Sequence, residues 1–294
     1  MATAKDWIDA ARPKTLAAAV APVLVGTVIG WRFGGGTWHP WLAFCTLFSC
    51  MALQIATNFF NDAIDFVKGT DTAARLGPRR ITASGVVTPK QVLTAACVVL
   101  VLAAALSVPL ILARGWPIIA IGLPSLYFCY GYTGGPAPLA YRGLGELFVI
   151  LFFGLVAVTG SAFVQSGQWH FEALVAGVQI GCLSTVLIAV NNMRDVAEDT
   201  KSGKNTLAVR FGTTFAKVEI TALIVIAYAL WGYWLPRGFG QWWEVASLGV
   251  FGVIIVFAAW KVQLKELNFV LALSGVHLLL FSVELAAALW LPAW

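Results

Sequence analysis

Nine stretches of this chain are apolar and about as long as a bilayer is thick, which restricts the fold more than any other feature. A helix needs about 20 apolar residues to cross the hydrocarbon core. Such stretches lie at roughly 15–32, 41–61, 91–113, 116–132, 145–165, 172–193, 217–235, 243–260 and 268–290. Only 11% of the residues are charged, whereas soluble domains carry about 25%. We therefore predict a membrane protein with nine spans.

The apolar stretches indicate helices rather than strands. Only α-helices and closed β-barrels satisfy every backbone hydrogen bond inside lipid. Barrel strands alternate apolar and polar residues, but runs such as "VLTAACVVLVLAAALSVPLILA" do not. The predicted fold class is therefore all-α, a polytopic bundle of about nine transmembrane helices.

The loop charges predict the orientation of the bundle. If the N-terminus is cytoplasmic, sixteen of the 19 lysines and arginines lie on the cytoplasmic side, and only Arg32, Arg114 and Arg237 lie opposite. This asymmetry follows the positive-inside rule. We predict a multi-pass protein of the cell inner (cytoplasmic) membrane, with the C-terminus on the opposite side. The net charge of +5 then reflects topology, and no basic segment resembles a nucleic-acid-binding module.

Two acidic clusters interrupt this apolar chain at the predicted cytoplasmic boundary. "NFFNDAIDFVKGTD" (58–71) closes the second span, and "NNMRDVAEDTKSGKNT" (191–206) closes the sixth. Together they contain six of the 14 acidic residues: Asp62, Asp65, Asp71, Asp195, Glu198 and Asp199. Spacings of three, four and seven place Asn58, Asn61 or Asp62, and Asp65 on one helix face. Asn191 or Asn192, Asp195 and Asp199 repeat this pattern, and Asp71, beyond a glycine, is expected on a loop. We predict that the two faces meet across a cavity.

The clusters also indicate an internal repeat. Each places an aspartate four residues after an asparagine, in the pairs Asn61 with Asp65 and Asn191 with Asp195. We predict one membrane-embedded domain over residues 1–294. Its pseudo-repeat halves would cover about 12–132 and 145–260, followed by a final helix at about 268–290.

Neighbouring carboxylates repel one another, and the negative end of the helix dipole disfavours them further. A bound cation would relieve both effects. Oxygen ligands without histidine or cysteine suit Mg²⁺ or Ca²⁺, and Mg²⁺ commonly shares its shell with substrate phosphates. The adjoining loops supply basic residues suited to phosphate oxygens, namely Lys68, Arg79, Arg80, Lys201 and Lys204.

Acids, Mg²⁺ and basic residues at the lipid boundary fit a membrane-soluble diphosphate. The ions would stabilise the diphosphate as a leaving group, and aromatic faces would stabilise the allylic carbocation left behind. The aromatic candidates are Phe59, Phe60, Phe66, Tyr127, Phe128, Tyr130 and Tyr132. No GxxxxGK[ST] loop is present, so nucleotide hydrolysis is not expected.

The two acidic clusters resemble the aspartate-rich motifs of the UbiA superfamily of intramembrane prenyltransferases. The segments "ARPKTL", "NDAIDFVKGTDTAARLGPRRITASG", "YTGGPAPLAYRGLGE" and "NNMRDVAEDTKSGKNTLAVRFG" are similar to the 1,4-dihydroxy-2-naphthoate polyprenyltransferases, the MenA type. This resemblance implies a nine-helix bundle whose central cavity opens to lipid and to the cytoplasmic face. It also implies Mg²⁺-dependent transfer of a polyprenyl chain from polyprenyl diphosphate to the naphthoate ring. Loss of CO₂ and diphosphate then gives demethylmenaquinone.

The resemblance also implies roles for particular residues. Asn61, Asp65, Asp195 and Asp199 would organise the magnesium–diphosphate complex, with Asp62 beside them. Many members of the superfamily have a further aspartate where this chain has Gly69, and Asp71 would replace it as a metal ligand. The loop that begins at Tyr132 and contains Arg142 favours the naphthoate branch, and both residues would contact the aromatic acceptor. Arg142 would hold the acceptor's carboxylate or a diphosphate oxygen, or serve only as a topology charge.

Two other functions remain open at this stage. One is prenyl transfer to another aromatic acceptor, such as 4-hydroxybenzoate or homogentisate. The other is cation-coupled transport, because carboxylates in membrane helices often bind ions along transport pathways. Transport sites usually lie near the bilayer midplane, whereas these acids are predicted at one face.

Overall fold

The computed structural model describes residues 2–70, 80–263 and 266–291, and within them it contains helices and no strands. The helices are α1 Ala4–Ala11, α2 Ala17–Phe33, α3 Pro40–Val67, α4 Pro89–Arg114, α5 Trp116–Gly131, α6 Gly145–Val149, α7 Ala157–Ser166, α8 Phe171–Arg194, α9 Val196–Lys201, α10 Leu207–Ala229, α11 Trp231–Trp234, α12 Trp242–Lys261 and α13 Leu267–Trp290. A π-helical segment, Ile150–Val156, joins α6 to α7. The all-α prediction is confirmed.

Each of the nine predicted spans overlaps at least one of these helices, but the number of helices able to cross a membrane is smaller. In the described ranges, seven helices are long and apolar enough. The helical pair at Ala4–Thr15 and Ala17–Phe33, bent by 51°, makes an eighth. Helix α5 is apolar but falls short of the required length. The chain is a multi-pass membrane protein, and the number of nine membrane spans stays a prediction.

Two helix boundaries differ from the sequence-based prediction in ways that affect the acidic clusters. Helix α3 runs to Val67, past the predicted end at 61, so the first cluster lies on its last turns. Helix α10 begins at Leu207, before the predicted start at 217, and breaks at Gly212, where φ is 83°. A left-handed conformation of this kind favours glycine because it has no Cβ.

Contacts between helix ends define an end of the bundle remote from the acids. Trp31 stacks on Trp290 with ring centroids 4.1 Å apart, and the His39 backbone N–H donates to Gln165 Oε1 at 3.1 Å. Arg114 Nε donates to the Val164 carbonyl at 2.7 Å. The ends of α2, α4, α7 and α13 therefore meet here, while α1 packs near the acidic end of α3, where Trp7 contacts Phe59. The first and last described helices thus end at opposite ends of the bundle.

The helices pack in two groups, and the cavity described below lies between them. One core joins α1, α3, α4 and α5. A larger core joins α2, α8, α10, α12 and α13, and α8 is the most deeply buried of the candidate spans. Since α3 carries the first acidic cluster and α8 ends at the second, the two cores position the clusters on facing walls.

Glycines spaced every four residues bring α2 close to α7. A Cβ at Gly26 would lie 2.3 Å from the Val158 carbonyl oxygen, and a Cβ at Gly30 would lie 2.4 Å from the Ala162 carbonyl oxygen. Small residues let membrane helices approach this closely and gain van der Waals contact. The backbone of α7 thus leaves no space for a side chain at these positions.

Replacing Gly30 by alanine should therefore destabilise the protein. The added methyl group forces α2 and α7 apart, and overpacking of this kind costs about 1–3 kcal/mol. The thermal unfolding midpoint in detergent should fall. Gly232→Ala is the matched control, because a Cβ there meets nothing within 4 Å. Equal midpoints for the two variants would contradict the close α2–α7 contact.

Candidate active site

A cavity of about 640 Å³ runs between the two groups of helices. Its polar end contains side chains from both acidic clusters, including Asn61, Asp65, Asn191 and Asp195. Its deep part is lined by Leu110, Ile118 and Val164 together with other mostly apolar residues. Val164 accepts the hydrogen bond from Arg114 described above, so the cavity extends towards the opposite end of the bundle. A cavity polar at one end and apolar at the other suits an amphiphilic molecule.

Asp65 is buried and held in the polar end by two neighbours. The Tyr141 hydroxyl donates to Asp65 Oδ1 at 2.8 Å, and Arg80 Nη2 lies 3.8 Å from Asp65 Oδ2. The hydroxyls of Tyr141 and Thr70 are 2.8 Å apart. Thr70 and Arg80 lie between α3 and α4, and Tyr141 lies between α5 and α6. The contacts therefore fix the carboxylate relative to both of these connections at the cavity mouth. The predicted neighbours Asp65 and Arg80 are indeed brought together.

Asp195 is held by its own sequence neighbour. Arg194 donates from Nε to Asp195 Oδ1 at 2.6 Å and from Nη2 to Oδ2 at 2.8 Å. A third Arg194 nitrogen, Nη1, donates to Asn268 Oδ1 at 2.7 Å. This bidentate geometry orients the carboxylate. The sequence prediction treated Arg194 as a topology charge; its position beside the aspartate at a helix end was the available signal.

Asp199 and Lys204 extend the second cluster. Asp199 is buried on the short helix α9, and Lys204 Nζ lies 3.8 Å from its Oδ1. The Lys204 backbone N–H donates to the Asp199 carbonyl at 2.9 Å, which folds the loop back on the helix. Lys204 lines the cavity, so this ion pair brings a cation to the polar end.

Lys68 also lies beside this end of the cavity, at the C-cap of α3. Its Nζ donates to the Thr133 carbonyl at 2.7 Å and sits 4.0 Å from the centre of the Tyr141 ring. Partial burial lowers the pKa of Lys68 below its ordinary value, and the Asp65 carboxylate opposes that shift. The Thr133 hydroxyl in turn donates to Asn61 Oδ1.

Asp62 lies outside the cavity wall, where it has a structural role. Its carboxylate accepts hydrogen bonds from the backbone N–H groups of Ile81 and Thr82, each at 3.1 Å, and from the Thr82 hydroxyl. The side chain is buried and does not line the cavity. Asp62 therefore anchors the segment after Arg80 to α3, a contact between distant parts of the chain that spacing along one helix could not reveal.

Four other predicted residues are also absent from the cavity lining: Asp199 and Lys68, which lie next to its polar end, and Arg142 and Lys201. Arg142 is exposed, and its Nη2 donates to the Pro136 carbonyl at 3.3 Å. Lys201 is exposed at the end of α9. Tyr132 lines the cavity as predicted. The predicted residues Asp71 and Arg79 lie outside the described part of the chain.

An aromatic wall formed by Phe128, Tyr132, Phe148 and Phe152 lines the cavity near its polar end. The rings of Phe148 and Phe152 stack at 4.4 Å, and Phe128 and Tyr132 pack against Phe148 at 5.1 and 5.5 Å. The π-helical segment contributes to this wall, and such segments often occur at functional sites. Of the predicted aromatic residues, only Phe128 and Tyr132 belong to the cavity lining.

The other predicted aromatic residues are used elsewhere. Phe59 and Phe60 are buried in the core shared by α1, α3, α4 and α5. Phe66, Tyr127 and Tyr130 are exposed on the outside of the bundle. The periodicity of a uniformly apolar helix does not distinguish its lipid face from its cavity face, which explains this error.

The segment between α1 and α2 closes one side of the cavity mouth. Asn58 Nδ2 donates to the Ala11 carbonyl at 2.9 Å and to the Thr15 hydroxyl at 3.1 Å. Between these anchors, Arg12 adopts a left-handed conformation with φ of 54° and lines the cavity. A non-glycine residue in this region is uncommon. Sequence analysis missed Arg12 as a site residue, although it stands in the motif "ARPKTL".

The donors at the polar end fit a hard divalent cation. They are carboxylate and amide oxygens on facing helices, without histidine or cysteine among the cavity-lining polar residues at that end. Among the described residues, no three acidic, histidine or cysteine side chains form a closed metal cluster. Mg²⁺ does not require one, because it typically takes one or two carboxylates and completes its shell with water and substrate phosphate.

Comparison with known proteins agrees with this geometry. The model of the UbiA prenyltransferase family matches residues 19–273. The chain belongs to the UbiA prenyltransferase family. The resemblance inferred from the two acidic motifs is thereby confirmed. A solved UbiA homologue from Archaeoglobus fulgidus, bound to DMAPP and Mg²⁺, shares the fold with a TM-score of 0.66 and 16% identity, over 97% of this chain and 99% of that chain.

Curated relatives within the family are more similar in sequence. The 1,4-dihydroxy-2-naphthoate octaprenyltransferase of Mycobacterium leprae is 39% identical over 225 residues, which cover 76% of each chain. The protein of the same name from Bacillus subtilis is 35% identical, over 81% of this chain and 76% of the relative. This chain is similar to enzymes that transfer prenyl groups, and it is itself a family member of that kind.

The structural position of Asp62 leads to a prediction that separates it from the other acids. Asp62→Ala should leave two buried N–H groups without an acceptor, at a cost of about 1–3 kcal/mol each. The thermal unfolding midpoint should therefore fall clearly, and Asp62→Asn, which keeps one oxygen, should lose less. An Asp62→Ala variant of normal stability but weakened Mg²⁺ dependence would instead return Asp62 to the metal site.

Proposed function

We propose that this protein transfers a polyprenyl chain from polyprenyl diphosphate to 1,4-dihydroxy-2-naphthoate within the membrane. The observation that carries the proposal is a cavity with buried carboxylates and cations at one end and an apolar depth at the other. The similarity to named naphthoate octaprenyltransferases supports the choice of acceptor. The product is demethylmenaquinone, formed as its quinol, and the pathway is menaquinone biosynthesis.

The polar end binds the diphosphate. Asp65, Asp195 and Asp199, with Asn61, would hold Mg²⁺, and the ion would supply neutralisation of the diphosphate charge. Arg80, Lys68 and Lys204 lie against these acids and can donate directly to phosphate oxygens. The buried contacts from Tyr141 and Arg194 keep the carboxylates in place before substrate arrives, so little reorganisation is needed on binding.

The apolar depth of the cavity binds the prenyl chain. Its lining residues from α3, α5 and α7 remove the chain from water, which favours binding in proportion to the apolar area buried. With the diphosphate fixed at the mouth, the first isoprene unit lies beside the aromatic wall. The faces of Phe128, Phe148 and Phe152 can stabilise positive charge on its allylic carbon.

The reaction exchanges one bond for another without an external oxidant. The allylic C–O bond breaks, and diphosphate leaves with the electron pair. The ring carbon that bears the carboxylate attacks the allylic carbon, and a new C–C bond forms. Loss of that carboxylate as CO₂ returns the electron pair to the ring and restores aromaticity. A cavity closed to bulk water protects the allylic cation from hydrolysis.

The proposed orientation places the polar end at the cytoplasmic face of a bacterial inner membrane. The loops at this end carry most of the lysines and arginines, in accordance with the positive-inside rule. A cytoplasmic mouth allows the naphthoate to enter from water while the prenyl donor enters from lipid.

Turnover by the purified protein tests the proposal directly. Protein in detergent or nanodiscs is incubated with polyprenyl diphosphate, Mg²⁺ and one aromatic acid at a time, and CO₂ and prenylated product are measured. We expect both products from 1,4-dihydroxy-2-naphthoate. Product from 4-hydroxybenzoate or homogentisate alone would identify another acceptor, and ion flux without any prenylated product would indicate a transporter.

The metal-binding acids predict a second result. Asp65→Asn and Asp195→Asn should each reduce kcat by about 1000-fold, because loss of several kcal/mol of charge stabilisation lowers the rate tenfold per 1.4 kcal/mol. The variants should still insert and elute as monodisperse protein. Glu172→Gln is the matched control, since Glu172 lies in the first turn of the same helix that Asp195 caps. Full activity in both aspartate variants would remove the metal-site argument.

Removal of divalent cations predicts a third result. Chelation should abolish turnover of the wild-type protein, and added Mg²⁺ should restore it, because the diphosphate leaves poorly without charge neutralisation. Turnover that persists at full rate in the presence of chelator would show that the basic residues alone activate the leaving group.

A further inference from the structure

A buried pair formed by Glu146 and Asn192 lies behind the polar end of the cavity. Asn192 Nδ2 donates to Glu146 Oε1 at 2.7 Å. Glu146 is 4% exposed and Asn192 is 7% exposed. Asn192 stands on α8 next to Asn191 and lines the cavity, whereas Glu146, on α6, does not. The contact therefore joins a cavity residue to a carboxylate behind it.

The carboxylate fixes which way the amide of Asn192 faces. An ionised carboxylate only accepts hydrogen bonds, so it must face the NH₂ group of Asn192. The carbonyl oxygen Oδ1 then points away from Glu146. Within the described ranges, no group donates a hydrogen bond to this oxygen. The oxygen is not fully buried either, because it is absent from the buried polar atoms that lack a partner. The pair thus presents a hydrogen-bond acceptor to the cavity.

Burial of the Glu146 carboxylate has an energetic cost that its hydrogen bond with Asn192 does not fully offset. Its second oxygen, Oε2, is buried and has no hydrogen-bond partner in the described part of the chain. A carboxylate that is not fully hydrogen-bonded is expensive to bury. A role for its charge in orienting Asn192 explains why a carboxylate stands at this position.

The surroundings of the pair indicate which group donates a hydrogen bond to Asn192 Oδ1. Tyr132 lies close to the residue preceding Glu146, since a Cβ on Gly145 would be 2.8 Å from the Tyr132 hydroxyl oxygen. Tyr132 belongs to the aromatic wall, against which a planar ring can pack. An acceptor beside an aromatic surface suits an O–H group carried on an aromatic ring. Metal-bound water is the other source of such a group at this end of the cavity.

We propose that Asn192 Oδ1 accepts a hydrogen bond from a phenolic hydroxyl of the aromatic substrate, and that Glu146 is a positioning residue that holds the amide in this orientation. The proposal rests on the proposed function, because it assigns a binding contact for the acceptor of that reaction. It adds a specificity element directed at the hydroxyl groups of the acceptor.

The test compares binding of four naphthoates to purified protein under anaerobic conditions: 1,4-dihydroxy-2-naphthoate, its two monohydroxy analogues and 2-naphthoate. Wild type should lose about three- to tenfold in affinity when the hydroxyl that contacts Asn192 is missing, the range for one hydrogen bond. Asn192→Ala should show the same loss with the dihydroxy compound and no further loss with 2-naphthoate. This dependence on the ligand hydroxyl would not result from a purely structural role.

Glu146→Gln tests the positioning role. Glutamine can donate to Asn192 Oδ1, so the amide can turn and withdraw its oxygen from the cavity. The KM for the naphthoate should rise by about three- to tenfold while the KM for polyprenyl diphosphate stays within about twofold. Glu219→Gln is the matched control, because Glu219 interacts electrostatically with Glu146 but does not line the cavity. An unchanged KM for the naphthoate in Glu146→Gln would remove the positioning role. If that variant fails to fold, Glu146→Asp, which keeps the charge but withdraws the carboxylate, takes its place with the same expected result.

Specific results would overturn the inference. Equal weakening of all four naphthoates by Asn192→Ala would show a general packing effect. A change in Mg²⁺ or diphosphate affinity, with naphthoate binding intact, would place metal-bound water at Asn192. Failure of the proposed function can be told apart from failure of this inference. In the first case the wild-type protein yields no prenylated naphthoate, whatever the variants bind.

Discussion

The site depends on keeping several carboxylates buried at one end of a membrane helix bundle. Isolated charges are unfavourable in such surroundings, so each acid needs a partner or a cation. Tyr141 and Arg80 hold Asp65, Arg194 holds Asp195, and Lys204 lies beside Asp199. These partners come from loops and neighbouring helices, so the requirement to stabilise charge also organises the segments around the cavity mouth.

The same requirement explains the division of the cavity. Charged groups collect at the boundary of the bundle, where water and the proposed metal and diphosphate can reach them. The deeper lining is mostly apolar because it lies among helices that otherwise contact lipid. An amphiphilic donor therefore has one favourable orientation, with its diphosphate at the mouth and its chain in the depth. Orientation of the substrate follows from the distribution of polarity, before any specific contact is made.

Much of this arrangement was predictable from the sequence, but the individual roles were not all predictable. Helical spacing placed Asn61, Asp62 and Asp65 near one another, yet Asp62 binds the backbone after Arg80 while Asp65 enters the cavity. Spacing defines a face only to within about one residue position, and adjacent positions on a helix differ by roughly 100°. Likewise, Arg142 was as plausible as Arg12 from charge alone, and only Arg12 lines the cavity.

The amino-acid sequence alone specifies the class of this protein. Long apolar runs require helices in lipid, loop charges predict orientation, and two acidic motifs indicate a divalent cation and a diphosphate. These conclusions follow from local composition and short-range spacing. The tertiary structure sets the contacts around the cavity. Arg194 pairs with Asp195, Glu146 holds Asn192 from behind the cavity wall, and Phe148 belongs to the aromatic wall. Most of those contacts join residues on different helices, and the Arg194–Asp195 contact depends on the orientation of a helix end. They are set by the rotation and packing of the helices, which no single segment encodes.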